Sequence, residues 1–183
     1  MHSWMEIVVE ITQRLEKHQI PYEIGGSASL WFHGIKTEVH DLDFLFDVKD
    51  QARVLALFEN DHPVLENRSD SGYHTSGFAE LKIRGMDVDL MFGFAIAHEH
   101  GVFRHQLWDK PLPSRVECLG KIVIVASLEE WLVWYALMRR EEKVKMIQTY
   151  FETHRFCPVW KHYWKRFVWN ESLTKILETY LDA

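Results

Sequence analysis

Three carboxylates on two apolar runs, behind a Gly25-Gly26-Ser27 turn, set the chemistry this chain could perform. Asp41 and Asp43 open the run Asp41-Leu42-Asp43-Phe44-Leu45-Phe46, and Asp89 sits with Asp87 in Met86-Asp87-Val88-Asp89-Leu90-Met91-Phe92. Acidic side chains oppose strand propensity and lose solvation on burial. Such conflicts are tolerated most often where a site has work to do. Side chains two apart on a strand point the same way, roughly 7 Å apart. Asp41 and Asp43 therefore share a side while Leu42 turns to the core, and Asp87 and Asp89 share a side against Val88 and Leu90. Bringing the second strand beside the first would add Asp89 to the first pair.

Clustered carboxylates repel unless cations hold them. Mg²⁺ prefers carboxylate and phosphate oxygens, and two such ions about 4 Å apart can orient an α-phosphate, activate a hydroxyl and stabilise departing pyrophosphate. The glycine turn suits the rest of a nucleotide triphosphate, because glycines let backbone N–H groups approach phosphate and a helix start favours negative charge. Each piece alone has an ordinary reading: a strand-edge Asp-x-Asp is usually exposed, Gly-Gly-Ser is usually a turn with a helix cap, and Asp87 can be a hairpin residue beside Gly85. Their order along the chain is the signal.

The elements that must hold these residues follow from periodicity. Ser3-Trp4-Met5-Glu6 reads as a capping box, and Trp4, Ile7, Val8, Ile11 and Leu15 mark one face of a helix. Pro21 opens a short strand at 22–24, and Ser27 is expected to cap a brief helix stopped by Gly34. A strand at 41–47, a helix near 49–60 and a loop over 61–76 come next. Residues 77–84 alternate and, with 86–93, predict a hairpin around Gly85. The stretch 95–113 reads as a long irregular connection, followed by strands at 115–119 and 121–125. Ser127-Leu128-Glu129-Glu130 forms a second capping box, the run Arg139–Lys143 interrupts the helix it starts, and a last helix covers about 171–181. The layout is a mixed α/β portion followed by a helical portion with no Pro- or Gly-rich linker between them.

The chain has 183 residues, 47% of them hydrophobic, and a formal net charge of −6, which argues against nucleic-acid binding over its whole surface. Cys118 and Cys157 form no framework, the start lacks a signal-peptide pattern, and no apolar run approaches membrane-spanning length. These features predict a soluble cytoplasmic protein with no membrane partner. His98-Glu99-His100, with His105 nearby, is a candidate Zn²⁺ or Ni²⁺ site. Residues 153–170 hold no acid, but mix Arg155, Lys161, Lys165 and Arg166 with Phe156, Trp160, Tyr163, Trp164, Phe167 and Trp169. That pattern fits either a stacking surface for single-stranded RNA or a tRNA end, or helix packing and a homodimer contact.

Gly26-Ser27, then Asp41-x-Asp43, then Val88-Asp89-Leu90 resembles the nucleotidyltransferase superfamily with the DNA polymerase β-like fold, in its small minimal, antibiotic and abortive-infection-type branches. The resemblance covers about residues 20–95 and implies an α+β fold. A mixed β-sheet flanked by helices would form a nucleotidyltransferase domain over 1–126, with a C-terminal helical portion over 127–183 packed on it. It implies transfer of a nucleoside monophosphate from an NTP to an acceptor hydroxyl on a small molecule, tRNA or protein. Asp41, Asp43 and Asp89 would be the catalytic residues and would ligate Mg²⁺, two ions by expectation. Gly25, Gly26, Ser27, Lys36 and Arg140 would bind nucleotide, with Arg139 and Lys143 as further candidates for the triphosphate tail. The chain departs from its relatives at Tyr135, where they often carry Lys, and in Arg140-Glu141-Glu142-Lys143, where they carry Arg-x-Lys-Asp. Those departures motivate an alternative, a weak or inactive nucleotide-binding member of a toxin–antitoxin-type pair. A third reading, an Asp-x-Asp glycosyltransferase, fits the length and the glycine turn less well.

Overall fold

The computed structural model describes residues 3–66 and 72–181. Helix α1 (Trp4–Lys17) starts at Ser3, whose hydroxyl accepts from the Glu6 N–H while the Glu6 carboxylate accepts from the Ser3 N–H. Its buried stripe, Ile7, Val8, Ile11 and Leu15, covers one face of a seven-stranded sheet. Full burial of such a side chain is favourable by about 1.5–3 kcal/mol.

The strands are β1 (Glu23–Ile24), β2 (Asp41–Phe46), β3 (Val64–Glu66), β4 (Gly77–Ile83), β5 (Met86–Phe92), β6 (Ala95–His98), β7 (Gly101–Arg104), β8 (Ser114–Cys118) and β9 (Lys121–Val125). The large sheet runs β3-β4-β5-β2-β1-β9-β8. It is mixed: β2 pairs parallel with β5, and β1 parallel with β9, while the other neighbours are antiparallel. The expected α+β class with a mixed sheet between helices is therefore the observed one.

Alternation divides the two faces. Leu42, Phe44 and Phe46 of β2, with Val88, Leu90 and Phe92 of β5, pack with α1 and with Val54 of α3 (Gln51–Leu57). On the opposite face Leu45, Phe78 and Met91 join a second core under α4 (Leu128–Leu137). Asp41, Asp43, Asp87 and Asp89 precede these apolar residues along their strands, where the cover of α4 gives way to a cavity. The C-terminal helices, α5 (Glu141–Phe151), α6 (Pro158–Trp164) and α7 (Glu171–Leu181), complete that second core.

Several local expectations are corrected. Residues 95–113 are not all irregular: β6 and β7 form a separate two-stranded hairpin that buries Ile96 and Phe103. The histidines around its turn hide the alternation. The 61–76 stretch contains β3, while 67–71 lie outside the described residues. The helix near 49–60 is divided into a 3-10 turn at Val48–Asp50, α3, and a second 3-10 turn at Glu59–Asp61. Helix α2 (Gly26–Phe32) is capped by Gly25 with no side-chain bond, so Ser27 lies inside the helix and caps nothing. At α4 only half of the expected capping box forms. The Ser127 hydroxyl accepts from the Glu130 N–H at 3.3 Å, but the Glu130 carboxylate turns to Lys110 and His105.

Among the described residues no helix is long and apolar enough to cross a membrane. The aromatic 153–170 region turns its rings inward: Phe156, Trp160, Tyr163, Trp164 and Trp169 are buried in the second core. Those five rings pack within the chain, as the helix-packing alternative expects.

Candidate active site

The parallel ladder between β2 and β5 sets the acidic cluster in register. Asp41 stands opposite Asp87, and Asp43 opposite Asp89. Across the next ladder Glu80 of β4 stands opposite Asp89, and Lys82 opposite Asp87. The period of two then sends Asp41, Asp43, Asp87, Asp89 and Glu80 to one face, where all five line a cavity of ≈ 520 Å³. Asp41 and Asp87 are exposed, Asp43 and Asp89 half-buried. Asp87 is paired with Lys82 at 2.8 Å, which ties it into the ladder.

Gly26 forms the roof over Asp43. Its φ of +57° lies in the left-handed region, and a Cβ there would strike the Asp43 carboxylate. The absent side chain thus lets an acidic group lie against the start of α2. Gly25 does a different job from the one expected: its N–H donates to the Asp43 carbonyl at 2.9 Å, so that amide is spent inside the protein. A Cβ on Gly25 would meet the Trp131 indole of α4. The glycine pair therefore admits Asp43 on one side and α4 on the other.

Ser27 and Arg140 line the cavity with the aspartates, while the exposed Lys36 does not. Arg140 is delivered by an unusual helix end. Arg139 takes the left-handed conformation at φ 57°, and the Arg140 N–H donates back to the Tyr135 carbonyl at 2.9 Å, as in a Schellman close. One turn into α5, Lys143 Nζ donates to the hydroxyls of Ser27 at 3.2 Å and Thr37 at 2.7 Å. Burial, and then Arg140 beside it, lower the Lys143 pKa, with Asp41 acting in the opposite sense. Tyr135 is 1% exposed yet lines the same cavity. Burial, then the charge of Asp43, raises its pKa, so the phenol stays neutral.

The sequence reading did not single out Tyr73, Phe94 or Met138, which with Phe78, Met91 and Trp131 form the apolar part of the wall. Glu80 falls within the alternating 77–84 run, and its hairpin register with Asp89 is the signal that could have promoted it. The candidate histidine site does not assemble. The His98 ring lies 5.5 Å from that of Trp169 at a tilt of 35°, while His105 is buried with Nδ1 3.0 Å from Glu130 Oε1.

Known proteins share the fold. The sequence profile of the aminoglycoside-2''-adenylyltransferase family matches residues 7–103, a span holding most of α1, the glycine turn and both acidic strands. No curated protein sequence matches the chain. Among solved structures, a Thermotoga maritima protein assigned as a nucleotidyltransferase superposes with a TM-score of 0.65 at 24% identity, covering 82% of this chain and 94% of that one. The antibiotic-resistance factor ANT(2'')-Ia, solved with adenylyl-2''-tobramycin, gives 0.54 at 14% identity over 81% and 89% of the two chains. The lincosamide antibiotic adenylyltransferase LnuA, solved with lincomycin, gives 0.53 at 16% over 77% and 94%. At these identities the superpositions speak for the fold. The profile match, which spans more than half of the chain, places it in the aminoglycoside-2''-adenylyltransferase family of the nucleotidyltransferases.

Proposed function

We propose that this chain moves an adenylyl group from ATP to a hydroxyl of a small, cationic, antibiotic-like acceptor, releasing pyrophosphate. The observation that carries the reading is the in-register pairing of Asp43 with Asp89 beneath Gly26. The acidic cavity wall supports the cationic acceptor class, as do the adenylylated tobramycin and the lincomycin bound by relatives of the same fold.

The donor set suits divalent metal: Asp41, Asp43 and Asp89 present hard carboxylate oxygens to one sheet face and one cavity, the ligand type such ions take. Magnesium bound there would supply positive charge to the phosphate oxygens and make the acceptor hydroxyl more acidic. In this reading Ser27 and the start of α2 hold the outer phosphates, and Arg140 and Lys143 neutralise them. Lys143 would exchange its two hydroxyl partners for phosphate oxygens. Asp89 accepts the proton as the acceptor oxygen bonds to the α-phosphorus and the bond to the bridging oxygen of pyrophosphate breaks. The helical portion from residue 127 serves as the cavity's lid through Trp131, Tyr135 and Met138.

The test is incubation with α-labelled ATP, Mg²⁺ and a panel of aminoglycosides and lincosamides. Asp43→Ala is expected to cut label transfer by roughly 100-fold or more, the scale of losing a preorganised charged group, with an unchanged circular dichroism spectrum. Full transfer by that variant would overturn the assignment. Tyr135, neutral where relatives carry Lys, favours a second reading, nucleotide binding without turnover. The same experiment separates the two, since ATP would then bind while no label moves.

A further inference from the structure

Four ionisable side chains outside the acidic cavity are buried together. Lys110 Nζ donates to Glu23 Oε2 at 2.7 Å and to Glu130 Oε2 at 2.6 Å, and His105 completes the group on Glu130. Each side chain is at most 2% exposed. Burial would lower the Lys110 pKa, but Glu130 and Glu23 override it and raise it. Against its own burial, Lys110 and His105 hold Glu130 down to about 2. Glu23, Glu130 and His105 offer ligand atoms within 4.8 Å of one another, a spacing that would suit a metal ion. The Lys110 ammonium already bridges both carboxylates, so the cation is supplied by the chain itself.

The array's position in the fold gives it a role. Glu23 lies in β1, two residues before Gly25, and Glu130 adjoins Trp131, the ring against which Gly25 must remain bare. Buried ions are unfavourable to desolvate, and apolar residues of equal volume often do as well or better for stability. Their directional bonds instead fix distances. We propose that Glu23, Lys110, Glu130 and His105 form a positioning clamp that ties β1 to α4 and so sets the gap between the Gly25–Ser27 turn and the cavity wall. Its meaning for turnover rests on the adenylyl-transfer reading, while the clamp itself is testable without turnover.

Lys110→Met alone strands two buried carboxylates and is expected to lower the melting temperature. The informative variant is Lys110→Met with Glu23→Gln, which removes one charge of each sign and should restore that temperature close to the wild-type value. At matched stability, amide exchange by mass spectrometry over residues 23–30 should be about tenfold faster than wild type, with α7 unchanged, as expected for local loosening. Turnover, where measured, should remain roughly 100-fold down, the scale of an ångström-sized misplacement, and Lys110→Arg should recover part of it. Wild-type exchange at 23–30 in the double variant would overturn the clamp, as would a stoichiometric metal in the purified protein that His105→Ala removes. Absence of label transfer by the wild type would instead sink the adenylyl-transfer reading and leave the exchange result standing.

Discussion

At Gly26 one backbone angle and one carboxylate are coupled. A side chain there must adopt φ +57° and also displace Asp43. Left-handed backbone alone is unfavourable by roughly 1–2 kcal/mol for an L-residue. Gly26→Ala should therefore lose at least that much stability in urea titration, and activity should fall further than stability because Asp43 is the group displaced. Lys143 carries a pH prediction. Its pKa is lowered from the ordinary 10.5, so the cation is lost earlier on the way to alkaline pH than a free lysine's would be. If it grips the triphosphate, kcat/KM for ATP should fall at a pH below that ordinary value, and Lys143→Arg should remove this limb. That Asp41, Asp43, Asp89, Gly26 and Ser27 would face one cavity was legible from spacing, because period two and a glycine turn are local rules. Lys36 was not separable from Arg140 or Lys143 by spacing alone, since which cation reaches the cavity depends on how α5 leaves α4.

The turn between α4 and α5 holds the second level of information. Arg139 occupies a left-handed slot that usually falls to glycine. Arg139→Gly should raise stability by about 1 kcal/mol, read from a chemical-denaturation midpoint, while leaving Arg140 and turnover in place. The strands β2, β4 and β5 were readable because each alternates or opens on an acid. The hairpin β6–β7 was not, because four residues per strand and a histidine-rich turn imitate a loop. The buried clamp was hidden for a different reason. Glu23 stands in a two-residue strand and Lys110 in a proline-flanked connection, and nothing local announces that they meet across 87 positions.

The molecule as a whole has two apolar cores that share one sheet. Leu45, Phe78 and Met91 belong to the same core as Trp134 and Trp164, so the C-terminal helices are not an appendage that can melt alone. Trp164→Ala should cost about 3–5 kcal/mol, and urea unfolding followed by fluorescence and by circular dichroism should still give one coincident transition. The parallel pairing of β2 with β5 has a kinetic corollary. The β4–β5 hairpin can close locally, whereas β2 must find β5 across α3, β3 and β4, a slow, entropically expensive closure. Until that ladder zips, Asp43 and Asp89 are strangers in the chain. During refolding, nucleotidyl transfer should trail recovery of ellipticity, and a half-assembled polypeptide should hold its two acidic strands apart.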